Sequence, residues 1–174
     1  MKVTNFIKNY PVYNLDKKLA TKYSTEIATL ANLIPLVNYE EKDILAESKD
    51  DRIFYGKWEH SLIVFDDKKP IAIIIAYERG KEKNLQYPEN SIYISELAVD
   101  KNYQGKGIAK KLLELFFKLN TNFSHLTGPL LFTIQTNSAS WNKFVLDLYH
   151  SFGFKEFATK EYSNRTDVIL RLQK

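Results

Sequence analysis

Cysteine is absent from the 174 residues. That excludes disulfides, thiolate metal sites and a cysteine nucleophile. Histidine is scarce: His60, His125 and His150 stand far apart and in no metal-ligand spacing, so no metal centre is expected. Long hydrophobic runs are missing too. The longest, "IAIIIA" at 71–76, is far short of a membrane span. The start, "MKVTNFIKNYPVYNL", has neither an apolar h-region nor a small-residue cleavage site. A soluble, cytoplasmic protein with no membrane partner is expected. No strong charge bias exists either. The net charge is +4 and the lysines are spread along the chain. A nucleic-acid partner would need clustered Lys/Arg with exposed aromatics on one face, and only the lysines of one central turn cluster. No nucleic acid is therefore expected, whereas a basic patch for an anionic cofactor fits the charge.

What is present is enough for a core. Hydrophobic residues make up 44% of the chain, with 11 Tyr and 11 Phe. No repeat, low-complexity tract or linker interrupts residues 1–174, so a single domain is expected.

The spacing predicts the elements. "LDKKLATKYSTEIATLANLIP" has helical periodicity stopped by Pro35, and "NYEEKDILAESKDD" reads as a second helix. "HSLIVFDDKKPIAIIIAYERG" reads as a hairpin and "KEKNLQYPEN" as a polar loop. "SIYISELAVD" is a strand. "GIAKKLLELFFKLN" is a helix with Ile108, Leu112, Leu115, Phe116 and Leu119 on one face. "LLFTIQT" is a strand. "SASWNKFVLDLYHSF" is a helix with Trp141, Phe144, Val145, Leu148 and Phe152 on its buried side. "FKEFATKEY" and "DVILRLQ" close the chain as two strands. This is a mixed α/β layout rather than a regular βαβ series.

The most informative stretch is "VDKNYQGKGIAKKLL", Val99 to Leu113. A strand enters a glycine-bearing turn and a helix leaves it. The first amides of a helix lack intrahelical partners and carry partial positive charge, and glycines let the backbone close on a phosphate. Lys106, Lys110 and Lys111 add formal charge. The turn is not a P-loop, which needs G-x-x-x-x-G-K-[ST]. It is not a dinucleotide fingerprint either, because only Gly105 and Gly107 are present and no acidic residue follows the helix at the needed distance. On this stretch alone, a pyrophosphate cradle and a plain helix start both remain open.

Two longer patterns discriminate between them. Gln104-x-x-Gly107-x-Ala109, after "ISELAVD", resembles the Q/R-x-x-G-x-G/A signature of the GNAT superfamily of N-acetyltransferases. Downstream, Asn142-x-x-Val145-x-x-Leu148-Tyr149-x-x-x-Gly153-Phe154 is similar to that family's N-x-x-A-x-x-L-Y-x-x-x-G-F. Val145 departs from the usual alanine. The resemblance is strong over 91–158, and the first 90 residues match in element order alone.

The resemblance implies an α/β GNAT fold, a mixed central β-sheet with splayed central strands flanked by helices. It also implies an acyltransferase that uses acetyl-CoA as cosubstrate and no metal. Backbone amides of Gln104, Gly105, Lys106, Gly107, Ile108 and Ala109, with Lys110 beside them, would bind the pyrophosphate. Backbone groups of Leu97, Ala98 and Val99 would pair with the pantetheine arm, and the Val99 amide would face the thioester carbonyl. Asn142 would hold the pantetheine amide or cap its helix, and Asn137 is an alternative for that role. Tyr149 would protonate the leaving thiolate, its other reading being a packed aromatic. Glu96, the one carboxylate within "SIYISELAV", would take the proton of the attacking amine, or else face solvent or an ion pair. Strand alternation sets Tyr93, Ser95 and Leu97 on the opposite face, unless a bulge intervenes. The acceptor would be a small-molecule amine (polyamine, aminoglycoside, amino acid) or a peptide or protein amine. The acidic residues Glu40, Glu41, Asp43, Glu47, Asp50 and Asp51 would draw a cation or form a solvated face. Tyr39, Phe54, Tyr55 and Trp58 would wall a pocket or pack a helix. A homodimer is the assembly the family suggests, and a catalytically weak CoA-binding sensor is the alternative function.

Overall fold

The computed structural model describes residues 5–49, 52–80 and 89–174. In chain order the elements open with β1 (Asn5–Ile7), β2 (Tyr10–Asn14), α1 (Lys17–Lys22), α2 (Ser24–Ala31) and α3 (Glu41–Leu45). Then come β3 (Ser48–Lys49), β4 (Arg52–Ile53), α4 (Lys57–His60), β5 (Leu62–Asp66) and β6 (Lys69–Arg79). The remainder is β7 (Ser91–Val99), α5 (Ile108–Leu119), β8 (Leu131–Asn137), α6 (Lys143–Ser151), β9 (Lys155–Tyr162) and β10 (Arg165–Gln173). The main sheet has the order β1-β2-β5-β6-β7-β8-β10-β9. β7 and β8 pair in parallel, whereas β1/β2, β2/β5, β5/β6, β8/β10 and β9/β10 are antiparallel. This is the mixed α/β architecture expected from the sequence.

The chain forms two compact units. One gathers Met1–Tyr77 and Glu96–Thr121, the other Glu78–Ser95 and Asn122–Lys174. In the first, Ile63, Phe65, Ile73, Ile75 and Ala98 pack with Leu15, Leu19, Ile27, Leu30 and Ile44 of the α1–α3 segment. The alternate positions of β5 and β6, namely Leu62, Val64, Ala72 and Ile74, are buried as well. A strand buried on both faces must be apolar at successive positions, which is why "IAIIIA" has no polar alternation. In the second unit β9 is the sheet edge and is almost wholly exposed. Its Lys155, Glu156, Lys160 and Glu161 keep that edge from recruiting another strand. Buried Glu78 is satisfied by backbone amides: those of Ser124, His125 and Leu126 all donate to its carboxylate, Leu126 at 2.7 Å.

Several local expectations change. The helix expected over 15–35 is two helices broken at Tyr23, whose φ of −119° is non-helical. The Tyr23 ring packs edge-on to Phe65 at 5.0 Å, and this tertiary contact outweighs helix continuity. The second expected helix is limited to Glu41–Leu45, and β3 begins three residues on. Leu119 is exposed, while Leu113 and Phe117 join the buried stripe of α5. Trp141 and Phe144 are exposed, at 54% and 77%. A 3₁₀ turn over Ser140–Asn142 precedes α6 and takes Trp141 out of helical register. Helical spacing from Tyr149 turns Val145, Leu148 and Phe152 inward, which leaves Phe144 outward. The polar loop expected at 81–90 lies mostly outside the described residues.

Candidate active site

The turn after β7 is built by its own polar groups. The Asp100 side chain accepts from the Asn102 amide at 2.9 Å and from Lys69 Nζ at 2.7 Å. The Lys69 bond, with the Asn102 amide, holds the Asp100 carboxyl below the usual carboxylate range. Tyr103 closes the 3₁₀ turn Lys101–Tyr103 and donates to Asp66 Oδ2 at 2.6 Å, which pushes its phenol up to about 12. Gln104 Nε2 donates to the Val99 carbonyl at 2.9 Å. The side chain of the signature glutamine is thus a strap to the strand end.

Gly105 and Gly107 have φ of 72° and 76°, the left-handed region that side-chain-bearing residues avoid. An added Cβ at either would meet nothing within 4 Å, so the glycines are needed for backbone direction and the space beside them is open. Gly107 is the N-cap residue of α5 and no side chain caps the helix. The first intrahelical bond runs from the Lys111 amide to the Gly107 carbonyl at 3.1 Å. The amides of Ile108, Ala109 and Lys110 precede it. An open-sided turn with uncapped helix amides fits a diphosphate chemically. Of the flanking lysines, Lys106 lies over the Tyr103 ring at 4.8 Å and Lys111 pairs with Glu114 at 2.7 Å, while Lys110 is exposed.

Glu96 does not face solvent. It is 4% exposed and shares the buried face of β7 with Ile92, Ile94 and Ala98. Burial alternates without a break from Ile92 to Ala98, so no bulge is needed to turn it inward. Tyr39 donates its hydroxyl to Glu96 Oε1 at 2.5 Å. The Tyr39 backbone is itself pinned, since its amide donates to Asn32 Oδ1 at 2.6 Å and its carbonyl accepts from Asn32 Nδ2 at 2.9 Å. Lys57 of α4 is 5% exposed. Its Nζ donates to the carbonyls of Ile44 and Ala46 at 2.7 and 2.6 Å, and lies 4.9 Å from the Trp58 ring centroid. Burial pushes the Lys57 ammonium down to about 8, against the attraction of Glu96 and Glu47. Sequence reasoning named Tyr39 as a wall residue and missed Lys57. A lone lysine among Phe54, Tyr55 and Trp58 was the available signal.

The acidic residues near this cluster are engaged locally. Glu40 and Asp43 form a capping box, Glu41 is held by Ser24 and Thr25, and Glu47 accepts from Lys17 and Trp58. Asp50 and Asp51 lie outside the described residues.

Asn142 and Tyr149 belong to the second unit. Asn142 is the N-cap residue of α6, yet its side chain does not cap the helix. Nδ2 donates instead to Thr136 Oγ1 at 2.8 Å and to the Asn137 carbonyl at 2.6 Å, tying α6 to the end of β8. Asn137 Oδ1 accepts from the Ala139 amide at 2.8 Å, so its side chain shapes the β8–α6 connection. Tyr149 is 1% exposed and meets Phe154 edge-on at 5.5 Å. Among the described residues its hydroxyl has no hydrogen-bond partner, and burial drives the phenol far above its ordinary value. The β7/β8 ladder runs from Ile92↔Phe132 to Ile94↔Ile134, although both strands continue. No cluster of potential metal ligands exists among the described residues.

Solved structures with the same fold cover nearly the whole chain. The NatC complex bound to Gag peptide and CoA matches at TM-score 0.70 and 24% identity, over 95% of this chain and 98% of that one. Arabidopsis thaliana Naa50, in complex with the bisubstrate analogue CoA-Ac-MVNAL, matches at TM-score 0.66 and 16% identity, over 94% and 97%. The ribosomal-protein-S18-alanine N-acetyltransferase of Escherichia coli matches at TM-score 0.63 and 14% identity, over 94% and 93%. No curated protein matches by sequence. The family model described as "Acetyltransferase (GNAT) family" matches residues 26–154, a span holding both signature stretches and most of the chain, and the protein belongs to that family.

Proposed function

We propose that this chain moves an acetyl group from acetyl-CoA to a primary amine by direct attack, and that the acceptor is the amine of a peptide or protein. The observation that carries the donor half is the turn after β7, with two left-handed glycines, open space on their free side and uncapped amides at the start of α5. The acceptor half is supported by relatives of the same fold that were solved with a peptide or a peptide-bearing bisubstrate analogue. A small amine is the second arm of the test.

The roles follow from chemistry. Amides of Gln104 to Ala109 hold the pyrophosphate, with Lys106 and Lys110 at its edge. Backbone groups of Leu97 to Val99 align the pantetheine arm, and the Val99 amide donates to the thioester oxygen as negative charge builds there. At pH 7 a peptide α-amine, of pKa about 7.7–8.0, is deprotonated in roughly one molecule in ten, and an alkyl amine of pKa near 10 in about one in a thousand. Glu96 therefore accepts the amine's proton, directly or through water. Tyr149, kept neutral by burial, donates a proton to the departing thiolate. Asn142 has both amide protons committed to Thr136 and Asn137, so its remaining acceptor oxygen is the atom for a pantetheine N–H. We read both compact units as one catalytic domain, supported by a family match that runs through both.

The test is thermal denaturation with acetyl-CoA, then thiol release with acetyl-CoA and either the peptide MVNAL or spermine. Saturating acetyl-CoA, at about 100 times its Kd, should add about 2.7 kcal/mol and raise Tm by roughly 5–10 °C. No shift at millimolar acetyl-CoA sinks the donor reading. A shift without turnover across amine panels favours a CoA-binding sensor.

A further inference from the structure

We propose that Tyr39 and Lys57 are positioning residues for proton removal: Tyr39 aims the Glu96 carboxylate, and the charge of buried Lys57 helps keep it ionised. The proposal rests on Glu96 being the base. Glu96 is 4% exposed on an otherwise apolar strand face. An unsupported carboxylate there would take up a proton and lose its ability to accept another. Two groups counter that, each from a different element. Tyr39, from the segment after α2, donates to Oε1 at 2.5 Å. An ionised carboxylate only accepts, so this bond favours the charged form. Lys57, from α4, brings a buried positive charge whose interaction with Glu96 is attractive.

Neither group is there by chance of surface packing. The Tyr39 backbone is fixed at both N–H and C=O by one asparagine side chain, Asn32, which sets where the phenol points. The Lys57 ammonium has two of its protons on carbonyls at 2.7 and 2.6 Å, so the charge cannot swing to solvent. A buried lysine is costly; here the Ile44 and Ala46 carbonyls hold the ammonium, and Glu96 and Glu47 favour its charged form. Tyr39 faces Glu96 as a neutral donor and Lys57 as a cation, and Glu47 is a second carboxylate acting on Lys57. His60, also on α4, is turned to Asn120.

Carboxyl carbon NMR of the full chain reads Glu96 directly, with Glu96→Gln supplying its assignment. Lys57→Met should raise the Glu96 titration midpoint by about one unit or more, and Tyr39→Phe should raise it by a smaller amount. With acetyl-CoA and MVNAL or spermine, the acid limb of kcat should move up by the same amounts. In the Glu96→Gln background neither substitution should lower kcat further. Tyr39→Phe, which removes one oxygen, carries the test alone if Lys57→Met fails to fold. A Glu96 midpoint unmoved in the folded variants overturns the positioning. So do rate losses as large in the Glu96→Gln background as in the otherwise native chain. Wild-type kcat in Glu96→Gln overturns the base assignment itself, and the proposal falls with it.

Discussion

Substituting Gly107 by alanine separates backbone strain from ligand contact. Gly107 has φ of 76°, and an added Cβ would meet nothing within 4 Å. The cost to the folded protein is therefore left-handed strain alone, about 1–2 kcal/mol, offset by about 0.4–1 kcal/mol because the unfolded chain also loses freedom. A net loss of about 1 kcal/mol should lower Tm by roughly 2–4 °C. Gly153 supplies the control in the second unit. Its φ is 91°, and its added Cβ would meet Leu172 Cδ1 at an ordinary 3.6 Å. Gly153→Ala should cost about the same in Tm. The two variants should differ in calorimetric titration with acetyl-CoA. At Gly107 the new methyl occupies the open side where the diphosphate is proposed to sit, and the shifted turn loses charge-assisted amide bonds worth about 1.5–3 kcal/mol each. The Kd should rise about tenfold or more for Gly107→Ala and stay near wild type for Gly153→Ala. Equal Kd values with equal Tm losses would refute the reasoning, since the turn would then be mere chain reversal.

Tyr149→Phe keeps the ring against Phe154 and removes the hydroxyl, which has no partner to orphan among the described residues. It should cut kcat by about 10²-fold or more, as for loss of a positioned acid, with Kd for acetyl-CoA and Tm little changed. An unchanged kcat removes Tyr149 from the chemistry. Lys57 makes stability depend on pH in a definite sense. Its folded value is about 8 against an ordinary 10.5, so the unfolded chain binds more protons between those values. Stability should rise from about pH 8 to about pH 10.5, by at most about 3.4 kcal/mol from this group. Urea midpoints across that window should climb more steeply in the wild type than in Lys57→Met, and parallel slopes would refute the burial cost.

The glycine turn after β7 was legible because its causes are local. Glycine at left-handed positions, a strand end and an apolar helix stripe all lie between Val99 and Leu119. The hairpin of β5 and β6 and the closing hairpin of β9 and β10 were legible for the same reason: period and turn residues sit side by side. The β1/β2 pairing was not, because three- and five-residue strands offer too few positions for a pattern. The break at Tyr23 depends on Phe65, and the exposure of Trp141 and Phe144 depends on where α6 begins. Neither is written in helical spacing.

The orientation of Glu96 shows the same divide at the site itself. Strand parity placed it opposite Tyr93, Ser95 and Leu97, which is correct, and parity alone counted against a functional role. The missing facts were its partners. Tyr39 is 57 residues away in sequence, and Lys57 comes from a four-residue helix without a side-chain cap. A buried carboxylate is interpretable only through the donors that surround it, and those donors come from the region between α2 and β5. The family signatures leave that region unread. On the proposed roles, the pyrophosphate and the upper pantetheine arm are set by one contiguous stretch that can be read as a motif, with Asn142 added from a second. Proton removal from the amine is set by long-range contacts to a single strand residue. Changes between Asn32 and Lys57 can therefore alter how readily Glu96 accepts a proton while the glycine turn after β7 stays intact.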